Sequence, residues 1–200
     1  MPVLDPRLEG IKAYPRAMRF YVLTLHEIIL ESNPSKVLEI GTQNGQSTKA
    51  ILTALAKNGR GKLISLDHKN RSGILDVEYE DLKPYWHFIQ GNTHLPETFE
   101  AAKDALEGEL FDVIFIDGDH KYEGAKQDFV EYTKLLKPGG VAILHDTINK
   151  NEGVNRVWAE IDWPEKFNYD WGVARGRDNL IVGFGLTRKP YDKVLEQEIE

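Results

Sequence analysis

Short apolar runs alternate with amphipathic segments along the middle of the chain. Five runs have the length and apolar content of buried parallel strands, at residues 37–40, 62–67, 86–91, 111–117 and 141–146. Helical composition or period follows at 49–56, 75–82, 96–106, 122–136 and 154–161, and Lys-Pro-Gly-Gly at 137–140 is expected to stop the fourth of these. This alternation predicts an α/β fold with a doubly wound, Rossmann-like, mostly parallel sheet.

The two ends of the chain have a different pattern. Residues 15–31 predict an amphipathic helix behind a Pro-rich and charged arm. Near the other end, two strand-like runs at 165–169 and 179–184 lie too close together for a crossover helix, so they should pair antiparallel. We therefore predict seven strands in one domain spanning 1–200. Its parts are an arm and helix at 1–34, a Rossmann-like core at 35–186 and a charged tail at 187–200.

Composition narrows the classes of function. The net charge of -7 argues against a nucleic-acid partner and against binding to an anionic membrane surface. The chain has no cysteine, so disulfides, thiolate nucleophiles and cysteine-based zinc sites are excluded. No apolar run reaches the roughly 18 residues of a membrane span. The beginning of the chain lacks a signal-peptide layout, and we expect a cytoplasmic protein.

The first predicted strand is followed by a glycine turn and the start of a helix. Gly41 and Gly45 allow a sharp turn and a close approach of a ligand to the backbone, and Ser47 lies at the start of the helix. The spacing does not fit the dinucleotide fingerprint G-x-G-x-x-G, because Gln43 occupies the second glycine position. It does not fit a P-loop either. The turn therefore predicts a binding site for another ligand.

Acidic residues lie at or near the carboxyl ends of four predicted strands: Glu39, Asp67, Asp117 and Asp146. In doubly wound sheets, ligands bind outside these strand ends. Carboxylates held close together destabilise one another unless a cation lies between them. The cation can be a group of the ligand, a metal ion, or both.

Together these pieces resemble the class I S-adenosylmethionine-dependent methyltransferases, over residues 36–146. The resemblance rests on Val-Leu-Glu-Ile-Gly-Thr-Gln-Asn-Gly-Gln-Ser-Thr at 37–48, Gln-Gly-Asn at 90–92, Ile-Asp-Gly-Asp-His-Lys-Tyr at 116–122, Leu-Lys-Pro-Gly-Gly at 136–140 and His-Asp at 145–146. Ile-Asp-Gly-Asp-His at 116–120 and Leu-His-Asp at 144–146 are most similar to motifs of small-molecule O-methyltransferases. The glycine turn is similar to that of the catechol O-methyltransferases.

The resemblance implies a role for each matching residue. The turn residues Glu39, Gly41, Gly45 and Ser47 would border the methionine half of the cofactor, and Asp67 would accept the ribose hydroxyls.

Gly91 and Asn92 would lie near the adenine. Asp117 would lie beside the reacting centre and, with Asp146, bind a divalent cation such as Mg²⁺. His120 would be the general base. The acceptor would be a small molecule.

Several points stay open at this level. Asp119 fits a third metal ligand or a helix cap, and His145 fits a ligand that compensates for Thr147 or a buried core histidine. Aromatic residues fit an acceptor pocket or core packing: Tyr14, Trp158, Trp163 and Trp171.

Arg175 and Arg177 fit an anionic acceptor or a solvated turn. The alternatives for function are an NAD(P)-dependent oxidoreductase and a non-catalytic cofactor-binding protein. A homo-oligomer is also open.

Overall fold

The computed structural model describes residue 8 and residues 16–75, 77–149, 153–174 and 180–191. The charged tail from residue 192, most of the N-terminal arm with Tyr14, and the loop with Arg175 and Arg177 lie outside the described residues. The helices are α1 (Arg16–Ser32), α2 (Gln46–Asn58), α3 (Pro96–Asp104), α4 (Tyr122–Tyr132) and α5 (Gly153–Glu160). The strands are β1 (Lys36–Ile40), β2 (Lys62–Asp67), β3 (Trp86–Gln90), β4 (Phe111–Ile116), β5 (Leu136–His145), β6 (Phe167–Ala174) and β7 (Leu180–Arg188). Two 3₁₀ segments, Val77–Tyr85 and Thr133–Leu135, complete the described elements.

The seven strands form one sheet in the order β3-β2-β1-β4-β5-β7-β6. The first five are parallel, and β7 runs antiparallel to both β5 and β6. The predicted doubly wound sheet and its antiparallel terminal pair are therefore confirmed. The strand order reverses between β1 and β4, and this switch point is where a ligand cleft is expected in such a sheet.

Both faces of the sheet are covered, which explains why the parallel strands read as nearly continuous apolar runs. One face packs against α1 and α2 through residues such as Leu25, Ile51 and Phe115. The other packs against α3, α4 and α5. Trp158 lies in this second core and Trp163 packs against Phe129, with ring centroids 4.9 Å apart. Trp158 is therefore a core residue and Trp163 is a partly buried residue packed on that core. The side chain of Trp171 lies outside the described part of the chain.

Several element boundaries differ from the prediction, and the helix predicted at 75–82 is the 3₁₀ segment Val77–Tyr85. Two of the boundary differences concern α2 and α4. Helix α2 begins at Gln46, three residues early, so that Ser47 and Thr48 belong to its first turn. Helix α4 ends at Tyr132, and the stretch 137–140, predicted as the stop of that helix, belongs to β5. The reason is tertiary pairing, since Gly139 donates its N–H to the carbonyl of Lys189, 2.9 Å away, beyond the end of β7. Among the described residues, no helix combines the length and apolarity that crossing a bilayer requires.

Candidate active site

A cleft of about 850 Å³ opens at the carboxyl ends of the parallel strands, at the switch point. Most of the sequence-predicted site residues line it: Gly41, Ser47, Asp67, Gly91, Asn92, Asp117, His120 and Asp146. Glu39 and Gly45 do not. The cleft has two parts, which we name the turn half, around the β1–α2 turn and the ends of β2 and β3, and the acidic half, around the ends of β4 and β5.

Glu39 lies beneath the turn half instead of at its surface. Its side chain is fully buried and accepts hydrogen bonds from the hydroxyls of Ser47, Thr48 and Ser65, at 2.6, 2.7 and 2.7 Å. Burial raises the pKa of the Glu39 carboxyl to about 7, although the three hydroxyls oppose this. Glu39 holds the first turn of α2 against β1 and β2. It therefore supports the cleft wall and does not itself line the cleft, contrary to what the sequence predicts.

Both glycines have a positive φ at the turn, and Gly41 is also needed for close packing of backbone on backbone. Gly41 has a φ of +87°, and a Cβ there would lie 2.0 Å from the backbone oxygen of Asp117. Gly45 is the N-cap of α2, with a φ of 75°, and a Cβ there would meet Ile74 at 2.6 Å. Gly41 thus brings the ends of β1 and β4 together, while Gly45 lies behind the cleft wall.

Asp67 ties the glycine turn to the end of β2. Its Oδ2 accepts the backbone N–H groups of Thr42 and Gln43 at 3.1 and 3.0 Å, and its Oδ1 accepts that of Lys69 at 2.8 Å. Burial alone would raise the pKa of this carboxyl, but the three N–H groups and Arg71 lower it below its usual value. A carboxylate offers about four acceptor positions, so about one remains for a ligand.

The wall beyond β3 is a short loop. Gly91 donates its N–H to the carbonyl of Asp67 at 3.0 Å, and a Cβ on Gly91 would collide with Thr98. The Asn92 Oδ1 accepts the backbone N–H of His94 at 3.0 Å. Asn92 and His94 both line the cleft.

In the acidic half, two histidines lie between two carboxylates. The His120 Nε2 is 3.4 Å from Asp117 Oδ1, and its Nδ1 is 3.1 Å from Asp146 Oδ2. The His145 Nδ1 is 3.3 Å from Asp117 Oδ1 and 3.2 Å from Asp146 Oδ2. The contacts of His145 are short, but they do not have hydrogen-bond geometry. Neither of its buried ring nitrogens has a well-aligned hydrogen-bond partner.

The charges of this cluster stabilise one another. Hydrogen bonding to both carboxylates raises the pKa of His120 to about 10. Burial lowers the pKa of His145, but the carboxylates outweigh it and raise the pKa to about 10. For Asp117 and Asp146, burial would raise the pKa, yet the two imidazoles hold it below the usual value.

Three of these side chains also meet the geometric needs of a metal site. One ligand atom each from Asp117, His120 and Asp146 lies within 4.8 Å of the others. Asp119, the other candidate ligand, accepts the backbone N–H of Lys121 at 2.9 Å and stabilises the turn before α4. The Thr147 hydroxyl bonds Asn168 at 2.9 Å, away from the cluster.

Two cleft residues gave no usable signal in the sequence. Tyr21 of α1 is buried, lines the cleft and lies with its ring centroid 4.7 Å from that of His145. Burial raises the pKa of its phenol above the usual value. On an amphipathic helix such a tyrosine resembles an ordinary core residue. His94 stands in a loop between two elements, where only the fold shows that it faces the cleft.

Several known proteins are similar to this chain. The structure of the O-methyltransferase from Bacillus cereus in complex with SAH matches with a TM-score of 0.67 and 20% identity, over 94% of this chain and 93% of that one. Cofactor-bound Rv0187 from MTB matches with a TM-score of 0.70 and 17% identity, over 94% and 92%. At these identities the likeness is one of fold.

Among curated proteins, the uncharacterized protein y4gI of Sinorhizobium fredii (strain NBRC 101917 / NGR234) is 26% identical over 137 residues, or 64% of this chain. The matched region spans only 15% of that protein's length. A protein-family model described as a methyltransferase domain matches residues 38–147, which run from β1 to Thr147, two residues after the end of β5. Because this match covers more than half of the chain, the chain belongs to that methyltransferase domain family.

Proposed function

We propose that this protein transfers a methyl group from S-adenosylmethionine to a hydroxyl oxygen of a small molecule. The observation that carries the proposal is the two-part cleft, in which a glycine turn with Asp67 adjoins the partly buried cluster around Asp117. The similar Bacillus cereus O-methyltransferase was crystallised with SAH, which is S-adenosylmethionine without its methyl group. The family assignment argues against an NAD(P)-dependent oxidoreductase.

The turn half would hold the cofactor. Gly41 and Ser47 border the space beside the methionine part, Asp67 offers its remaining acceptor position to the ribose, and Gly91 with Asn92 borders the adenine. The positive sulfonium would then lie near the negative carboxylates of the acidic half. Fixing the methyl carbon in line with the acceptor oxygen can lower the barrier by about 7–11 kcal/mol.

In the transfer step, the acceptor oxygen attacks the methyl carbon while the carbon–sulfur bond breaks and its electrons remain on sulfur. The hydroxyl proton passes to the acidic half, where Asp117 and His120 are the proposed acceptors. His120 can take a proton only after it has lost the one it already carries, because its pKa of about 10 keeps it protonated at neutral pH.

The residues of the acidic half fit a divalent cation. Two carboxylate oxygens and one imidazole nitrogen, from Asp117, Asp146 and His120, lie within 4.8 Å of one another. Oxygen ligands suit Mg²⁺ and Mn²⁺, and the imidazole favours a transition metal such as Mn²⁺. When bound, such a cation lowers the pKa of a hydroxyl that contacts it. His120 would then be a ligand and not the general base.

Calorimetry and methyl transfer test this proposal. The purified protein should bind S-adenosylhomocysteine, with no detectable affinity for NAD; the reverse result would overturn it. Labelled methyl transfer from S-adenosylmethionine to a panel of phenols and sugar hydroxyls should follow. Loss of turnover in EDTA and its return with Mn²⁺ would support a requirement for a divalent cation. Turnover that EDTA does not affect would refute that requirement and leave His120 as the proposed base. Binding without any turnover would favour the non-catalytic alternative.

A cytoplasmic location and a homo-oligomer remain predictions.

A further inference from the structure

The two oxygens of the buried Glu39 carboxyl have unequal numbers of donors. Oε2 accepts the hydroxyls of Thr48 and Ser65, each at 2.7 Å, whereas Oε1 accepts only the hydroxyl of Ser47, at 2.6 Å. The indole N–H of Trp86 donates to the Ser65 oxygen at 2.9 Å, so the Ser65 hydroxyl keeps its own proton for Glu39. Oε1 is therefore the oxygen with room for a proton.

Of the three hydroxyls that bond Glu39, only that of Ser47 reaches the cleft. Ser47 lines it, whereas Thr48 and Ser65 are fully buried and do not. A serine hydroxyl has one proton to donate, and an ionised carboxylate can only accept. While Glu39 is ionised, the Ser47 proton points to Oε1, and Ser47 offers a ligand only an oxygen lone pair.

A proton on Oε1 reverses this hydrogen bond. The Glu39 carboxyl then donates to the Ser47 oxygen, and the Ser47 hydroxyl is free to donate into the cleft. The Tyr21 hydroxyl of α1 also contacts Ser47, and a serine oxygen can accept from both groups at once. Only hydrogen atoms change position, so the wall of the turn half keeps its shape.

The surroundings of Glu39 place this protonation near neutral pH. Burial raises the pKa of the carboxyl to about 7, and the charge of Asp117 at the end of β4 also raises it. The contacts from α2 and β2 are uncharged hydroxyls, which oppose the shift. Burial raises the pKa of the phenol of Tyr21 on α1 well above its usual value, so Tyr21 stays neutral and cannot take the proton instead.

We propose that Glu39 takes up a proton when the cofactor binds, and that this proton turns the Ser47 hydroxyl toward the carboxylate of the methionine part. The inference rests on the proposed function and describes how pH regulates binding in the turn half. The ligand carboxylate can only accept, so it needs Ser47 as a donor. Its negative charge also disfavours a second one on Glu39, so binding and proton uptake favour each other. Glu39 is thus a positioning residue that acts through Ser47.

Calorimetry with S-adenosylhomocysteine tests the uptake in wild type. Protons taken from the buffer add the buffer's ionisation enthalpy to the heat of binding, so two buffers of different ionisation enthalpy count them. Protons exchanged by the ligand and by the acidic half cancel in the difference between wild type and Glu39→Gln. That difference should be about 0.9 proton at about pH 8 and below about 0.2 at about pH 6, where the free carboxyl is already protonated. Over the same range, wild-type affinity should fall about 10-fold relative to the variant.

Two variants separate this role from simple support of the cleft wall. In Glu39→Gln the side-chain amide donates to Ser47 at every pH, so the variant at about pH 8 should bind within about 3-fold of wild type at about pH 6. Ser47→Ala lacks the reoriented donor and should bind about 10–100-fold more weakly than wild type at about pH 6. Glu100→Gln removes an exposed acid of α3 and is the matched control, which should keep the pH dependence of wild type.

Several results would overturn the inference. One is an equal dependence of affinity on pH in wild type and Glu39→Gln. Another is a Glu39→Gln protein that binds more weakly by the same factor at both pH values, which would make Glu39 purely structural. If Glu39→Gln does not fold, the same proton count is taken against Ser47→Ala, and a difference near zero at about pH 8 refutes the uptake. If wild type binds no S-adenosylhomocysteine at either pH, the proposed function itself fails.

Discussion

The carboxylates in the two halves of the cleft are stabilised by different kinds of contact. In the turn half, Glu39 accepts three hydroxyl hydrogen bonds and Asp67 accepts three backbone N–H groups, so protein donors occupy most of the acceptor positions of both carboxylates. In the acidic half, Asp117 and Asp146 contact two imidazoles at 3.1–3.4 Å, and the buried nitrogens of His145 have no well-directed partner.

This difference indicates that the turn half is preorganised for binding, whereas the acidic half can change its contacts during a reaction. A carboxylate with fixed donors keeps its geometry, which suits a surface that must hold one cofactor in one position. A cluster held together by charge, with poorly directed contacts, can exchange partners as an acceptor or a cation enters. The two halves are joined at Gly41, which touches the backbone of Asp117 from the turn side. Four substitutions test this comparison, from the largest expected free-energy change to the smallest.

Gly41→Ala should disrupt the junction between the halves. The added Cβ would lie 2.0 Å from a backbone oxygen and would also force alanine into a left-handed conformation. We expect the free energy of unfolding to fall by about 3–5 kcal/mol, measured by urea denaturation. Gly59→Ala is the matched control, because Gly59 has a φ of +68° but a Cβ added there would meet nothing within 4 Å, and it should lose about 1–2 kcal/mol. Equal losses would show that the close approach is unimportant.

Glu39→Gln should change how stability depends on pH. Because burial raises the folded-state pKa of Glu39 from 4.5 to about 7, the folded state binds more protons than the unfolded state between these values. Wild type should therefore lose about 2–3 kcal/mol of stability relative to the variant as pH rises through this window.

Urea midpoints at about pH 5 and about pH 8 measure this difference between the two proteins. Glu100→Gln, at an exposed position of α3, is the control and should follow wild type. Parallel pH profiles for wild type and Glu39→Gln would mean that Glu39 is ionised throughout the window and that its hydroxyl partners outweigh burial.

Asp146→Asn should affect the acidic half alone. Loss of one of three candidate ligands should weaken Mn²⁺ binding at least about 100-fold, as followed by electron paramagnetic resonance of the free ion, while S-adenosylhomocysteine affinity stays within about 3-fold. Asp119 is a neighbouring acid of the cleft outside the ligand group, so Asp119→Asn should leave Mn²⁺ affinity within about 3-fold of wild type. Equal Mn²⁺ affinity in Asp146→Asn and wild type would refute the ligand assignment.

Asp67→Asn should affect the turn half. A charged acceptor for a ribose hydroxyl is lost, and hydrogen bonds to charged groups contribute about 1.5–3 kcal/mol, so S-adenosylhomocysteine affinity should fall about 10–100-fold by calorimetry. Asp104→Asn, on the exposed side of α3, serves as the control. Unchanged affinity would mean that Asp67 acts only on the Thr42 and Gln43 backbone, and that the ribose has another partner.

The hydrophobic pattern by itself determined the five parallel strands, the antiparallel pair and the acids at the strand ends, because period and strand length are local properties of the chain. It misplaced the end of α4, since Lys137 to Gly140 enter β5 only through pairing with residues beyond β7. No local signal could reveal a partner that lies so far away in the sequence.

The tertiary structure decided what each site residue does. Glu39 is one residue before the end of β1, so its side chain lies on the α2 face, where Ser65 from the neighbouring strand meets it. Tyr21 reaches His145, and Asp128 reaches His94, across 124 and 34 residues respectively. Sequence order fixes which residues precede a strand end, but the direction of a side chain and the partner that satisfies its charge depend on how distant elements pack.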